Sequence, residues 1–216
     1  MTKTMRESLS LTLIASVTLL GMFMLFEAPL MQAVTVEDQV VINQTVTAGI
    51  SITSPSDITM TALSMNQDTA TGAATWNVKT NNQTGYTLSV NASSTPALRD
   101  NDTSENFADY TEASAGVPET WTVSSAYEFG FSAYGTHVNT SLYGTDADCI
   151  NGADVPSATL KYQGYESTTL IEIASSTAET AMAGIDTTLC VAVEQDTVYA
   201  PSGFYQATTT ATAVTN

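Results

Sequence analysis

Cys149 and Cys190 are the only cysteines in the chain, and His137 is its only histidine. A lone pair of thiols can oxidise to a disulfide, stay free, or supply half of a metal site. One distant histidine does not complete a ligand set, and in an exported protein an even pair is most simply a disulfide. That bond would tie the irregular stretch around Cys149 to the apolar run Leu189–Val193 and stabilise the fold by roughly 3–4 kcal/mol on loop-closure grounds. To act as a general base, His137 would need an activated serine and a buried carboxylate beside it. The sequence has no G-x-S-x-G, so the imidazole reads as a surface or loop side chain. Phosphate-loop, dinucleotide-loop and H-E-x-x-H motifs do not occur either. Acidic pairs exist, but nothing marks one carboxylate as a general acid with a second at the separation that glycoside hydrolysis needs. The expectation is a protein that is not an enzyme.

Gly144–Asp154, read as GTDADCINGAD, brings Asp146, Asp148, Asn151 and Asp154 together with two glycines. Hard oxygen donors on a flexible loop are what Ca²⁺ takes, although the spacing departs from the EF-hand pattern. Asp and Asn also favour turns with no ion present. Calcium is therefore the one cofactor the sequence raises, with a plain turn as the competing reading. Asp100, Asp102 and Glu105 form a sparser cluster of the same kind.

The elements that would carry these residues read as strands. In Ala74–Ser93, ATWNVKTNNQTGYTLSVNAS, the residues Trp76, Val78 and Thr80 alternate with polar ones, and after a polar, Gly-containing link Tyr86, Leu88 and Val90 do the same. Two such runs joined by a polar link of this length predict a β-hairpin with a longer loop, Trp76 facing Tyr86 or Leu88 across the pair. Trp76, Val78, Tyr86, Leu88 and Val90 are the expected core. Trp121 joins them as part of a second aromatic strand pair with Tyr127, Phe129 and Phe131. Val34–Thr53 predicts two strands or one long bent strand, and Ile58–Ala62 another. Residues 94–120 and 134–158 lose the alternation and read as long excursions, the first with a short helical turn near Glu105–Tyr110. Later apolar runs around Leu160, Ile171, Leu189 and Tyr205–Val214 complete the strands. Short strands separated by turn signals predict an all-β fold, an antiparallel two-sheet sandwich of the Ig-like or Greek-key type.

Ahead of this domain, Lys3 and Arg6 precede the apolar run Leu11–Phe26 and a small residue follows, the pattern of a secretory signal helix over residues 1–33, with an uncleaved anchor as the alternative. Residues 34–216 then form one domain. Only 12% of residues are charged, the formal net charge is −17, and past residue 33 the cations are Lys79, Arg99 and Lys161. A nucleic-acid partner needs clustered Lys and Arg, and an anionic membrane would repel such a domain. Neither is expected as a partner of the mature domain. Five N-x-[ST] sequons, at Asn43, Asn82, Asn91, Asn101 and Asn139, fit a Thr- and Asn-rich chain.

The runs TWNVKTNNQTGYTLSV, VTVEDQVVINQTVTAGISITSPSDITM and PSGFYQATTTATAV resemble secreted bacterial cell-surface proteins of the WxL-like type. Trp76-Asn77-Val78 and Trp121-Thr122-Val123 both read W-x-V, and Ala207–Asn216 holds no counterpart of the family's distal W-x-L. The resemblance implies secretion and a β-sandwich fold; the cell-wall binding associated with the family goes with the distal motif. The function expected is a non-enzymatic, secreted, extracellular or cell-surface structural or adhesive protein, with other surface proteins or cell-wall glycans as partners. The alternative is a subunit of a surface filament assembled by N-terminal strand addition, with Val40, Ile42, Val46, Ile50 and Ile52 filling a neighbouring copy. A calcium- or carbohydrate-binding module is a further alternative.

Overall fold

The computed structural model describes residues 36–150, 152, 154–165 and 169–216. The expected signal helix over 1–33 and Asn151 lie outside the described residues. The chain divides between Thr45 and Val46, and Val46–Asn216 forms one compact unit. The fold is all-β, and the only helical turn among the described residues is α1, Thr140–Tyr143.

In chain order the strands are β1 (Ile50–Thr53), β2 (Thr69–Thr80), β3 (Tyr86–Ala92), β4 (Arg99–Asp100), β5 (Ala108–Asp109), β6 (Glu119–Thr120), β7 (Tyr127–Gly135), β8 (Lys161–Tyr162), β9 (Ile171–Ser176), β10 (Ile185–Gln195), β11 (Tyr205–Gln206) and β12 (Thr209–Thr215). The larger sheet runs β1-β2-β10-β7-β5 and a second runs β12-β3-β9; β11 pairs with β4, and β6 with β8. Pairing is antiparallel except at β5, which lies parallel to the start of β7.

Register decides which side chains meet. Ala70, Ala74 and Trp76 stand opposite Val193, Leu189 and Thr187 of β10, which in turn stand opposite Phe129, Ala133 and Gly135 of β7. The strand period of two puts this whole set on one face. It joins Tyr86, Leu88, Val90 and Ile173 of the second sheet in a single buried cluster. Within this face the bulky Trp76 stands opposite Thr187, which in turn stands opposite Gly135.

β2 and β3 do not form the expected hairpin. They belong to different sheets, and Asn81–Gly85 carries the chain from one to the other across the core. Both runs have their apolar residues on one face, so alternation alone does not separate two strands paired edge to edge from two strands facing each other. Gly85 makes the crossing: its φ is +84°, and a Cβ there would fall 2.0 Å from Ser176 O. Trp76 is therefore a core residue, 7% exposed, but its cross-strand neighbour is Thr187.

Among the described residues of the predicted Val34–Thr53 strands only β1 is a strand. Its first residue, Ile50, pairs with Thr80, the last residue of β2. Residues 54–63 form no strand, although Ile58, Met60 and Leu63 pack against the core. Glu105–Tyr110 contains no helix; it contains β5. Trp121 is not in a strand and does not enter the inter-sheet core.

Both long excursions send part of their length into the shared core, through Ala97, Leu98 and Phe107 and through Val138 and Tyr143, and part onto the outer face of the larger sheet. Tyr110, Cys149, Leu160 and Tyr162 cover Cys190 and Ala192 of β10, with Trp121 and Tyr134 at the edges. β10 is consequently buried on both faces from Thr187 to Val193.

Trp76→Ala should lower stability by on the order of 3–5 kcal/mol, as truncation of a large core aromatic does. Trp121→Ala, whose ring keeps partial solvent contact, should cost less. Urea unfolding of both variants checks this, and a loss under ~1 kcal/mol for Trp76→Ala would contradict its interior position.

Candidate functional site

The outer layer holds most of the residues singled out for chemistry. Its centre is the Cys149–Cys190 disulfide, in which both residues are buried. Cys190 lies on the outward face of β10, and Cys149 lies in the loop that follows α1. The bond therefore pins the second excursion to the middle strand of the sheet.

The first excursion is held by aromatic packing. Trp121 stacks on Tyr110 with centroids 4.7 Å apart and meets the edge of Tyr162 at 5.2 Å. Gly130 of β7 makes room for the stack, since a Cβ there would fall 2.8 Å from Tyr110 Cβ and 2.9 Å from the Trp121 ring. Tyr110 OH donates to Thr120 O at 3.1 Å. Burial pushes the Tyr110 phenol up to about 12, with the neighbouring Glu119 and Glu128 carboxylates acting in the same direction. Trp121 Nε1 donates to Glu194 Oε2 at 2.6 Å. Glu194 stands opposite Glu128 across the β10–β7 pair. Burial raises the Glu194 carboxyl above its ordinary value, the Trp121 hydrogen bond opposes that, and Asp68, Asp196 and Glu128 raise it further.

The proposed calcium ligands are engaged separately. Asp146 accepts from the hydroxyls of Ser157 and, at 2.8 Å, Thr159, and these bonds hold its carboxyl below the usual range. Asp148 Oδ1 accepts from Ile150 N at 3.2 Å. Asp154 has φ +55°, a turn conformation that Asp tolerates. Among the described residues no three His, Cys, Asp or Glu side chains are grouped to hold an ion. Asp100 accepts from Asp102 N and Thr103 N at 2.8 and 2.9 Å, which makes that cluster a turn as well. His137 Nδ1 lies 3.0 Å from Tyr86 OH at the edge of the core.

Where the outer layer stops short of the sheet, it leaves a cavity of about 550 Å³. Tyr134, Thr136, Thr140, Asp146, Asp186 and Thr188 contribute side chains to its wall, and none of the lining residues is a cation. Asp186 Oδ1 accepts from Asn77 Nδ2 at 2.7 Å, and Thr188 shares a hydroxyl contact of 2.7 Å with Thr75. These hydroxyls and carboxylates suit hydroxyl-bearing ligands rather than anions. Sequence reasoning named Asp146 but missed Tyr134, Asp186 and Thr188. They come from two strands far apart in the chain, and only their register makes them neighbours. The partnership of Trp121 with Glu194, 73 positions apart, likewise leaves no local signal.

Comparison with family models, with curated proteins and with solved structures finds no match to this chain.

Two measurements probe this layer. With the half-cystines 41 positions apart, the bridge should be worth about 4 kcal/mol in the loop-closure account. Cys149→Ala/Cys190→Ala should lose about that in urea, and an unchanged midpoint would show that packing alone holds the second excursion. The second measurement concerns Glu194. Its folded pKa lies above its unfolded one, so the fold favours the protonated form. That contribution is fully present below the unfolded pKa and is lost as pH rises through the folded value. Glu194→Gln removes the titration while keeping an acceptor for Trp121. The variant should therefore gain stability relative to wild type as pH rises from the ordinary glutamate range through the raised folded value, and parallel pH profiles would refute the assignment.

Proposed function

We propose that this protein is a non-enzymatic structural or adhesive module of the cell surface, exported by the apolar segment within residues 1–33. In this reading the two sheets that share one core form an Ig-like β-sandwich. The observation that carries the proposal is the buried Cys149–Cys190 disulfide. Structural disulfides persist in oxidising compartments outside the cytosol, and this one locks a long excursion against the sheet as a packed layer. The acidic, hydroxyl-rich surface supports the same reading, since like-charged surfaces stay apart in a crowded exterior. The resemblance to WxL-like surface proteins is part of this proposal and supplies its secreted setting.

One observation favours a second reading as a filament subunit. Val36, Val40, Val41 and Ile42 are exposed and lie in no strand, as does Val46. An extended apolar run of this kind can add to a sheet edge of another copy. Ile50 and Ile52 are not part of that run, because both pair with β2 and pack on the core of their own unit.

Protease treatment of intact producing cells, followed by electron microscopy of their surfaces, tests both readings. The surface module is digested from outside and runs with an internal Cys149–Cys190 bridge on non-reducing gels. Protection from external protease, or free thiols in the recovered protein, would sink it. Fibres on the cells that vanish when residues 36–44 are deleted would decide for the filament.

A further inference from the structure

The two ends of the Val46–Asn216 unit are built differently. At one end lie the start of the unit and the last residue of the sequence: Gly49 N donates to Asn81 Oδ1 at 2.7 Å, and Asn216 Nδ2 donates to Ser176 O at 2.9 Å. The other end is where β2 begins and β10 finishes. The 12 residues of β2 separate the two ends by roughly 36 Å at the usual strand rise.

At that far end the buried side chain of Gln195 braces two loops. Its Nε2 donates to Ser64 O at 2.8 Å, and its Oε1 accepts from Ala200 N at 3.1 Å. The second loop is fastened again further on, where Tyr205 OH donates to Pro201 O at 2.9 Å and Asn101 N donates to Phe204 O at 3.4 Å. Beneath it Tyr205 meets the edge of Phe107 at 5.0 Å, and Phe107 meets Tyr127 at 5.2 Å. The loops are thus anchored from within, yet Met65, Val198, Tyr199 and Phe204 are 77%, 58%, 60% and 70% exposed. Four large apolar side chains held out to solvent on braced loops at one end of the unit mark an interaction surface.

Charge narrows what can occupy it. Asp68, Asp102, Glu105 and Asp196 at this end are all exposed. The cation of this end, Arg99, has Nε on Pro96 O at 2.8 Å and its guanidinium on Thr95 O. The surface therefore presents an apolar centre with an acidic rim. A second copy would meet it with the same sign of charge, as would an anionic membrane, whereas a basic rim is complementary and speeds encounter. We propose that Met65, Val198, Tyr199 and Phe204 form a docking tip for a protein partner that presents an apolar helix face flanked by Lys and Arg. The inference rests on the adhesive reading above and adds where contact is made and the chemistry of what is bound.

The test uses the purified full chain with a short amphipathic helical peptide of Leu and Lys as the probe. Two controls replace its Leu by Ser or its Lys by Glu. The expected result is binding of the Leu/Lys peptide with NMR shifts at Met65, Val198, Tyr199 and Phe204. Affinity should weaken about tenfold in Tyr199→Ser/Phe204→Ser, while Val214→Ser, exposed on β12, leaves it unchanged. An unaltered urea midpoint shows that the double variant is folded. Equal binding by the double variant, or by the Ser/Lys peptide, overturns the proposal in favour of unspecific charge attraction. Flotation with phosphatidylcholine vesicles that the double variant loses overturns it in favour of a lipid surface. Self-association that the double variant loses overturns it in favour of a second copy. None of these readouts depends on where the cell places the protein, so surface display and tip docking can fail independently.

Discussion

Everything in the fold bears on the double burial of β10. Leu189, Val191 and Val193 point into the space between the two larger sheets, while Cys190 and Ala192 point away from it. In a half-solvated sheet the second set would meet water. Here it is covered by two stretches of chain with no periodicity of their own, and each needs a fastening that regular structure would otherwise provide. The disulfide fastens one stretch. The Tyr110–Trp121 stack over Gly130 fastens the other.

The way carboxylates are satisfied is the second regularity. With so few Lys and Arg, the ordered acids are held by amides and hydroxyls. Asp109 accepts from Ala97 N, Glu112 from Gly164 N, Glu119 from Ala113 N, and Glu128 from the hydroxyl and amide of Ser124. Charge-assisted bonds to backbone N–H groups are strong and need no counter-ion. They let acidic side chains brace irregular segments from within, and the outward-facing acids are left to set the surface potential. Glu194 is the place where this arrangement is under tension, because its hydrogen bond to Trp121 must work against burial and three nearby carboxylates.

In the proposed adhesive reading, contact is made at the end of the Val46–Asn216 unit where β2 begins and β10 finishes, because loops braced by the Gln195 side chain hold Met65, Val198, Tyr199 and Phe204 out to solvent there.

By itself the sequence determined the class of structure. Alternation with period two in Trp76–Thr80 and Tyr86–Val90 is a local property, since it follows from the pleat of each strand, and those residues are buried as expected. The pairing of Cys149 with Cys190 was equally legible, because no third thiol competes. Which strands are neighbours was not. Alternation records that a strand has an inner face and carries no information about whether the next strand continues the sheet or faces it across the core, so the Asn81–Gly85 crossing looked like a hairpin. The same limit hid the position of Trp121. Its aromatic neighbours in sequence, Phe129 and Phe131, point into the core, while Trp121 packs on the opposite face of the same sheet. Gln195, Met65, Val198 and Phe204 show the limit most plainly. Nothing local marks them as one end of the fold, and they share it only because register brings the start of β2 beside the end of β10.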